Sequence, residues 1–265
     1  MNRTRIDWAD MTWNPVVGCL HGCEYCYARD IAQRFGGHWS DEKLRSYGGN
    51  RKIHEINKPM VRHTSGKNRC KPVHDVVAPY PYVFDPTFHR YRLDEPAKIK
   101  KPQNIFVCSM ADLFGEWVPD EWIKAVFEAC EKAPQHRYLF LTKNPERYTG
   151  LTIINPEIWL GQTVTHQSVK RFVDWDRKYK LFTSIEPIRE PLRACADYTD
   201  WVIIGAETGN SKGKVIPKRE WIESIVEECR RTDTPVFMKN SLRDIWKEPL
   251  IQEYPWEKEK ENAKQ

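Results

Sequence analysis

From residue 104 onward the chain repeats one grammar: a short, nearly continuous apolar run, a few polar residues, then a stretch with helical spacing. The runs are NIFVCSM (104–110), RYLFLTK (137–143), EIWLGQTV (157–164), KLFTSIEP (180–187), DWVIIGAE (200–207) and TPVFMKN (234–240). Rich in β-branched and aromatic residues, they read as parallel strands covered on both faces. Between them, DEWIKAVFEACEKA (120–133) lines up Trp122, Ala125, Val126, Ala129 and Cys130 on one face, with Pro119 and Asp120 marking its start. THQSVKRFVDWDRKY (165–179) and KREWIESIVEECRRT (218–232) are expected to be helical in the same way. Strands alternating with helices build right-handed βαβ units and a parallel sheet. With an opening strand near MTWNPVVG, the expectation is an α/β chain of six or seven strands. That suits a partial (β/α) TIM-like barrel and falls short of full eight-fold closure.

A length of 265 residues suits one such domain, expected over residues 1–253. Residues 36–103 break the grammar, being first polar, basic and Gly-rich and then rich in Pro and Tyr. They read as a long insertion after the first helix, either packed on the barrel or a decorated loop. Residues 254–265, YPWEKEKENAKQ, read as a charged, frayed tail. With 40% hydrophobic and 30% charged residues, the composition is that of an ordinary soluble globular protein. No apolar run approaches the roughly 20 residues needed to span a bilayer. The opening MNRTRIDWADMTW has no apolar segment of the secretory type. A cytoplasmic protein without a membrane partner is expected. A net charge of +5 permits an anionic partner such as nucleic acid and does not require one.

In a reducing compartment, clustered thiols more often hold metal or do chemistry than form disulfides. WNPVVGCLHGCEYCYAR (13–29) spaces Cys19, Cys23 and Cys26 as Cys-x3-Cys-x2-Cys. Thiolates so spaced in one loop can converge on an iron–sulfur cube, which usually takes four cysteines. With only three, one iron keeps an open position, as the metal of a catalytic zinc site does. A zinc knuckle would need a fourth ligand from His21, Cys70 or Cys108, and a scaffold without cofactor is the remaining alternative. The other five cysteines, Cys70, Cys108, Cys130, Cys195 and Cys229, are scattered without a ligand-like spacing, and most read as small buried hydrophobes.

Cys-x3-Cys-x2-Cys with aromatic Tyr25 ahead of its last cysteine resembles the signature of the radical SAM superfamily. The resemblance implies a partial (β/α)6 barrel with the cysteine loop directly after its first strand. Here TWNPVVG runs into Cys19 and YARDIAQRF follows Cys26 as the first helix. It further implies a [4Fe–4S] cluster on Cys19, Cys23 and Cys26, with S-adenosylmethionine bound to the fourth iron. One electron, from a reductant such as flavodoxin or ferredoxin, would cleave the sulfonium to methionine and a 5′-deoxyadenosyl radical that abstracts hydrogen from a substrate. MTWNPVVGC, SMADLFGEWVP, FLTKNPER, WLGQTV, SIEPI and WVIIGAETG are similar, more narrowly, to a family of phage- and prophage-associated proteins. That likeness supplies no substrate, and a nucleic acid base is one candidate.

Function in a parallel α/β barrel gathers at the carboxyl ends of the strands. Ser109 and Asp112 stand where radical SAM proteins hold the ammonium group of the cosubstrate, although the Gly-Gly-Glu phrase common there is absent. Lys143 would neutralise the cosubstrate carboxylate, and Gln162, Thr163 and Ser184 would meet ribose hydroxyls. Glu186, Glu207 and Lys239 would face the substrate or the adenosyl group. Against these roles, a strand-end Ser or Thr such as Thr142 often caps the next element, and Lys239 with either glutamate would make an ion pair. Gly205 would permit a close approach by a ligand. A rival to the enzyme is a nucleic-acid-binding protein with a structural iron–sulfur or zinc site. Its contacts would come from the basic–aromatic phrases NRKIHEINKPMVRH and FHRYRL, which a solvated loop explains equally well.

Overall fold

A computed structural model of the chain describes residues 1–36, 53–64, 74–208 and 213–262. Thirteen strands are described: β1 (Asn2–Arg3), β2 (Met11–Trp13), β3 (Val16–Val17), β4 (His54–Ile56), β5 (Val61–Thr64), β6 (His74–Val77), β7 (Thr87–His89), β8 (Asn104–Val107), β9 (Arg137–Thr142), β10 (Ile158–Thr163), β11 (Lys180–Ile185), β12 (Trp201–Ile204) and β13 (Val236–Met238). The helices are α1 (Tyr27–Phe35), α2 (Asp120–Glu131), α3 (Arg219–Arg231), α4 (Arg243–Trp246) and α5 (Pro255–Asn262).

Each of the six apolar runs holds a strand. With β1 and β2 they form one eight-stranded sheet in the order β1-β2-β8-β9-β10-β11-β12-β13. Only the β1–β2 pair is antiparallel, and from β2 onward the strands are parallel and follow chain order. The chain is thus a mixed α/β fold with a mostly parallel sheet, and β13 does not pair with β1, so the sheet is not closed.

Continuous hydrophobicity has the expected cause, because both faces are buried. Alternate residues Phe106, Leu139, Trp159, Phe182, Trp201 and Phe237 point to one face, where they pack with Trp8 and Trp256. Their neighbours Ile105, Val107, Tyr138, Phe140, Leu160 and Leu181 point to the other, against α2 through Trp122, Val126 and Phe127. The later strands bury Val202, Ile204, Val236 and Met238 against Ile222, Ile225 and Cys229 of α3.

Two stretches depart from expectation. Residues 165–179 form no helix. Side chains satisfy their backbone instead: the Phe172 N–H donates to Gln162 Oε1 at 2.8 Å, and the Tyr179 N–H donates to Asp174 Oδ2 at 2.6 Å. Trp175, which would have stiffened a helix face, is 73% exposed. The described end of the tail is not frayed but folded, as α5, because Trp256 buries its ring against Trp159 and Trp201 at 5.8 and 5.2 Å and Arg137 lies over it at 4.1 Å.

The described part of the insertion packs on the domain. Its strands β4 and β7 join β3 in a small sheet, and Phe88 meets Trp122 of α2 at 5.1 Å. Glu55 pairs with Arg90 and accepts a hydrogen bond from Trp122 Nε1 at 3.2 Å. FHRYRL is therefore largely occupied within the chain: Arg92 donates to the Asn14 carbonyl at 2.8 Å, and Phe88 and His89 are fully buried. Of NRKIHEINKPMVRH, residues 50–52 lie outside the described residues, as do the flanking residues 37–49 and 65–73 with Cys70. Among the described residues no helix is long and apolar enough to cross a membrane.

Candidate functional site

Because β2 and β8–β13 run the same way, all their carboxyl ends meet at one rim. The cysteine loop leaves β2 there. Its entry is fixed by Gly18, whose amide donates to the Met110 carbonyl at 2.8 Å while the Cys19 amide donates to Phe84 at 3.1 Å. Gly18 has φ +87°, and a Cβ there would stand 2.2 Å from the Asp85 carbonyl oxygen, so only glycine lets the chain through. After Cys26 the chain turns directly into α1.

Cys19, Cys23 and Cys26 are half-buried and line one cavity of about 360 Å³. The same cavity is lined by Tyr25, Ser109, Asp112, Lys143, Thr163, Ser184, Glu186, Glu207 and Lys239. The sequence-based candidates are thus brought together, with one exception. Gln162 points to the other face, where its side-chain oxygen and nitrogen hold the backbone of Phe172, so it does not line the cavity. A larger cavity, about 1010 Å³, opens near the amino ends of β10–β13 around Lys180, Asp200 and Thr234 and contains none of the candidates. Chemistry favours the smaller one.

Asp112 is 5% exposed and its carboxylate is saturated. Oδ1 accepts from the Phe114 N–H at 3.0 Å and the Thr142 hydroxyl at 2.7 Å; Oδ2 accepts from the Lys143 N–H at 2.9 Å and bonds His21 Nε2 at 2.7 Å. A carboxylate has about four acceptor positions. Within the chain, Asp112 thus ties the ends of β8 and β9 to the cysteine loop through His21, whose ring also packs on Trp117 at 4.9 Å. Ser109 is likewise engaged, its hydroxyl donating to Asn14 Oδ1 at 3.2 Å and its carbonyl accepting from the Tyr27 hydroxyl at 2.7 Å. Lys143 Nζ donates to the Tyr25 hydroxyl at 3.1 Å. The hydroxyls of Thr163 and Ser184 face the cavity without a partner among the described residues.

Lys239 pairs with Glu186, so the ion-pair alternative holds for this glutamate. A Cβ on Gly205 would lie 3.1 Å from Lys239 Cδ and 3.3 Å from Glu186 Oε1. The glycine thus makes room for this pair. Glu207 is different. It is 8% exposed, and its carboxylate has no hydrogen-bond or ion-pair partner among the described residues. Arg5 and Tyr27, which also line the cavity, carried no sequence signal: one precedes any motif and the other reads as the first residue of a helix.

The donor set suits a thiolate-held cluster in kind. Burial pushes the Cys19 thiol up to about 12; the His21 backbone N–H opposes the rise, and charge on Asp112, Cys23 or Cys26 adds to it. A thiol so placed ionises only when a cation offsets its charge, and a metal ligand must be ionised. Among the described residues no three His, Cys, Asp or Glu side chains gather as they would around one metal ion. Cys108 is 3% exposed and is not among the residues lining the cavity.

Fold and site together define an α/β protein with a three-cysteine loop at the carboxyl rim of a parallel sheet. The family described as protein of unknown function (DUF5131) matches residues 3–248, and the chain belongs to it. No curated protein and no solved structure matches.

Proposed function

We propose that the chain is a radical SAM-type enzyme on a partial (β/α) barrel, acting on a substrate of which a nucleic acid base is one candidate. The observation that carries the reading is the common cavity: three thiols of one loop share it with the strand-end side chains of β9 through β13. The seven parallel strands in chain order support the partial barrel.

Cys19, Cys23 and Cys26 would hold a [4Fe–4S] cluster, with S-adenosylmethionine beside it. When bound, the pair supplies one-electron cleavage of the sulfonium and a carbon radical. The chain's own residues bind and orient. Asp112, through His21, fixes the cysteine loop against β8 and β9. Lys143, held by Tyr25, offers a cation to a carboxylate. Thr163 and Ser184 offer unpartnered hydroxyls to a sugar. Trp8 and Phe106, both buried, give the cavity an apolar wall.

Anaerobic reconstitution tests the reading. The full chain should turn brown, bind iron and sulfide, and form 5′-deoxyadenosine from S-adenosylmethionine with dithionite, and replacing Cys19, Cys23 or Cys26 by Ala should abolish both. A colourless protein that holds zinc tightly and leaves S-adenosylmethionine intact would overturn it.

A further inference from the structure

Three carboxylates line the cavity, and two are neutralised within the chain. Asp112 takes four donors, and Glu186 takes Lys239. Glu207 takes none among the described residues, yet it is more than nine-tenths buried and opens on the cavity. A buried carboxylate without a donor is costly, and the cost is relieved when a bound group supplies N–H donors or positive charge. Truncating or saturating it within the fold would have been simpler than leaving it bare.

The walls narrow the chemistry of that group. The same cavity is lined by flat aromatic surface: Trp8 and Phe106, whose rings meet at 4.6 Å, with Tyr25, Tyr27 and Phe84. An apolar pocket with few polar groups fixes its ligand's orientation through those groups. A flat ring bearing an exocyclic amino group satisfies both the walls and the carboxylate, since a glutamate accepts from such an amino group as it does from cytosine N4. Arg5, exposed and without a partner among the described residues, lines the same cavity and is free to meet a phosphate.

We infer that Glu207 is the recognition group for the amino edge of a nucleobase-type substrate. The inference rests on the proposed reading insofar as this cavity is the reaction site. Recognition itself needs no cluster.

The test compares probes that differ only by exchanging the amino donor for a carbonyl acceptor: AMP against IMP, and CMP against UMP. Each is titrated into the anaerobically prepared full chain, with and without reconstitution. At least one amino-bearing member should bind about tenfold or more tighter than its oxo partner, because a site built for a donor is left unpaired by the analogue lacking it. Glu207→Gln, which keeps the shape and offers both donor and acceptor, should bring the two within about twofold. Relieved of an unpaired charge, this variant should also melt no lower than the wild type. Equal binding of both members, no binding of either in the millimolar range, a preference that survives Glu207→Gln, or a melting point several degrees lower would each overturn the inference. Cleavage of S-adenosylmethionine is scored separately. Discrimination without cleavage sinks the enzyme reading alone, and cleavage without discrimination sinks the recognition role alone.

Discussion

Replacing Asp112 tests whether its carboxylate is a strap or a ligand. In Asp112→Asn, one oxygen becomes an NH2 group and so must face one of the two pairs of donors. On the Oδ2 side it meets the Lys143 N–H and His21; on the Oδ1 side it meets the Phe114 N–H and the Thr142 hydroxyl. His21 can change tautomer, and the Thr142 hydroxyl can turn, so each can become an acceptor. The backbone N–H cannot. Either orientation therefore strands one backbone donor, at about 1–3 kcal/mol, and the surviving bonds lose their charge assistance, at roughly 1 kcal/mol each. The sum is about 3–5 kcal/mol. In a domain of this size each kcal/mol lowers the melting point by about 2–4 °C, so a fall of at least ~5 °C is expected. Asp112→Ala strands both backbone donors and should fall further. Thermal and urea unfolding followed by circular dichroism give the answer without any cofactor. A variant that melts within about 1 °C of the wild type, while binding S-adenosylmethionine less well, would refute the strap and restore the ligand role.

Two further outcomes are expected. Burial, with the Arg92 charge adding, holds the His89 imidazole down at about 3, against an ordinary value of 6.5. Above pH 6.5 neither state is protonated; below it the unfolded chain takes up a proton that the fold refuses. Stability should therefore be lost as pH falls from 6.5 towards 3, by up to about 1.4 kcal/mol per unit, and His89→Phe should flatten this dependence. Urea midpoints at pH 7, 5 and 4 check it, and a gap between variant and wild type that does not change with pH counts against it. Trp256→Ala removes the ring that anchors α5, 7% exposed among Trp159, Trp201 and Tyr254, and should cost about 3–5 kcal/mol in the same unfolding assay. A loss below 1 kcal/mol would mean that the described part of the tail is dispensable to the core.

Much of the fold was legible because a strand buried on both faces must be apolar at every position, and the runs from 104 to 240 are. α1, α2 and α3 were legible from their spacing and start signals to within two residues or so. The segment 165–179 misled because its helical spacing is a weak preference, and side chains of Gln162 and Asp174 supplied the backbone with other partners. The tail misled because charge dominates YPWEKEKENAKQ, yet the burial of a single tryptophan outweighs it. The insertion was opaque because its anchors, such as Glu55 to Arg90 and Trp122, join residues far apart in sequence.

The site was legible for a related reason. Parallel strands convert a position in sequence, the residue after each apolar run, into a position in space, one rim. Periodicity then decides which of those residues face the cavity, and here the alternation that sends Thr163 inward sends Gln162 outward. What sequence could not show is which rim residues neutralise one another. Glu186 follows β11 and Lys239 follows β13, with the end of β12 between them. They meet only because the residue after β12 is Gly205, whose missing side chain leaves both within about 3.3 Å of where a Cβ would stand. Two residues further along the same strand end, Glu207 makes no ion pair with that lysine and has no counterpart among the described residues. Thus the glycine that lets one glutamate be neutralised leaves the other as the carboxylate with which the cavity can recognise a ligand.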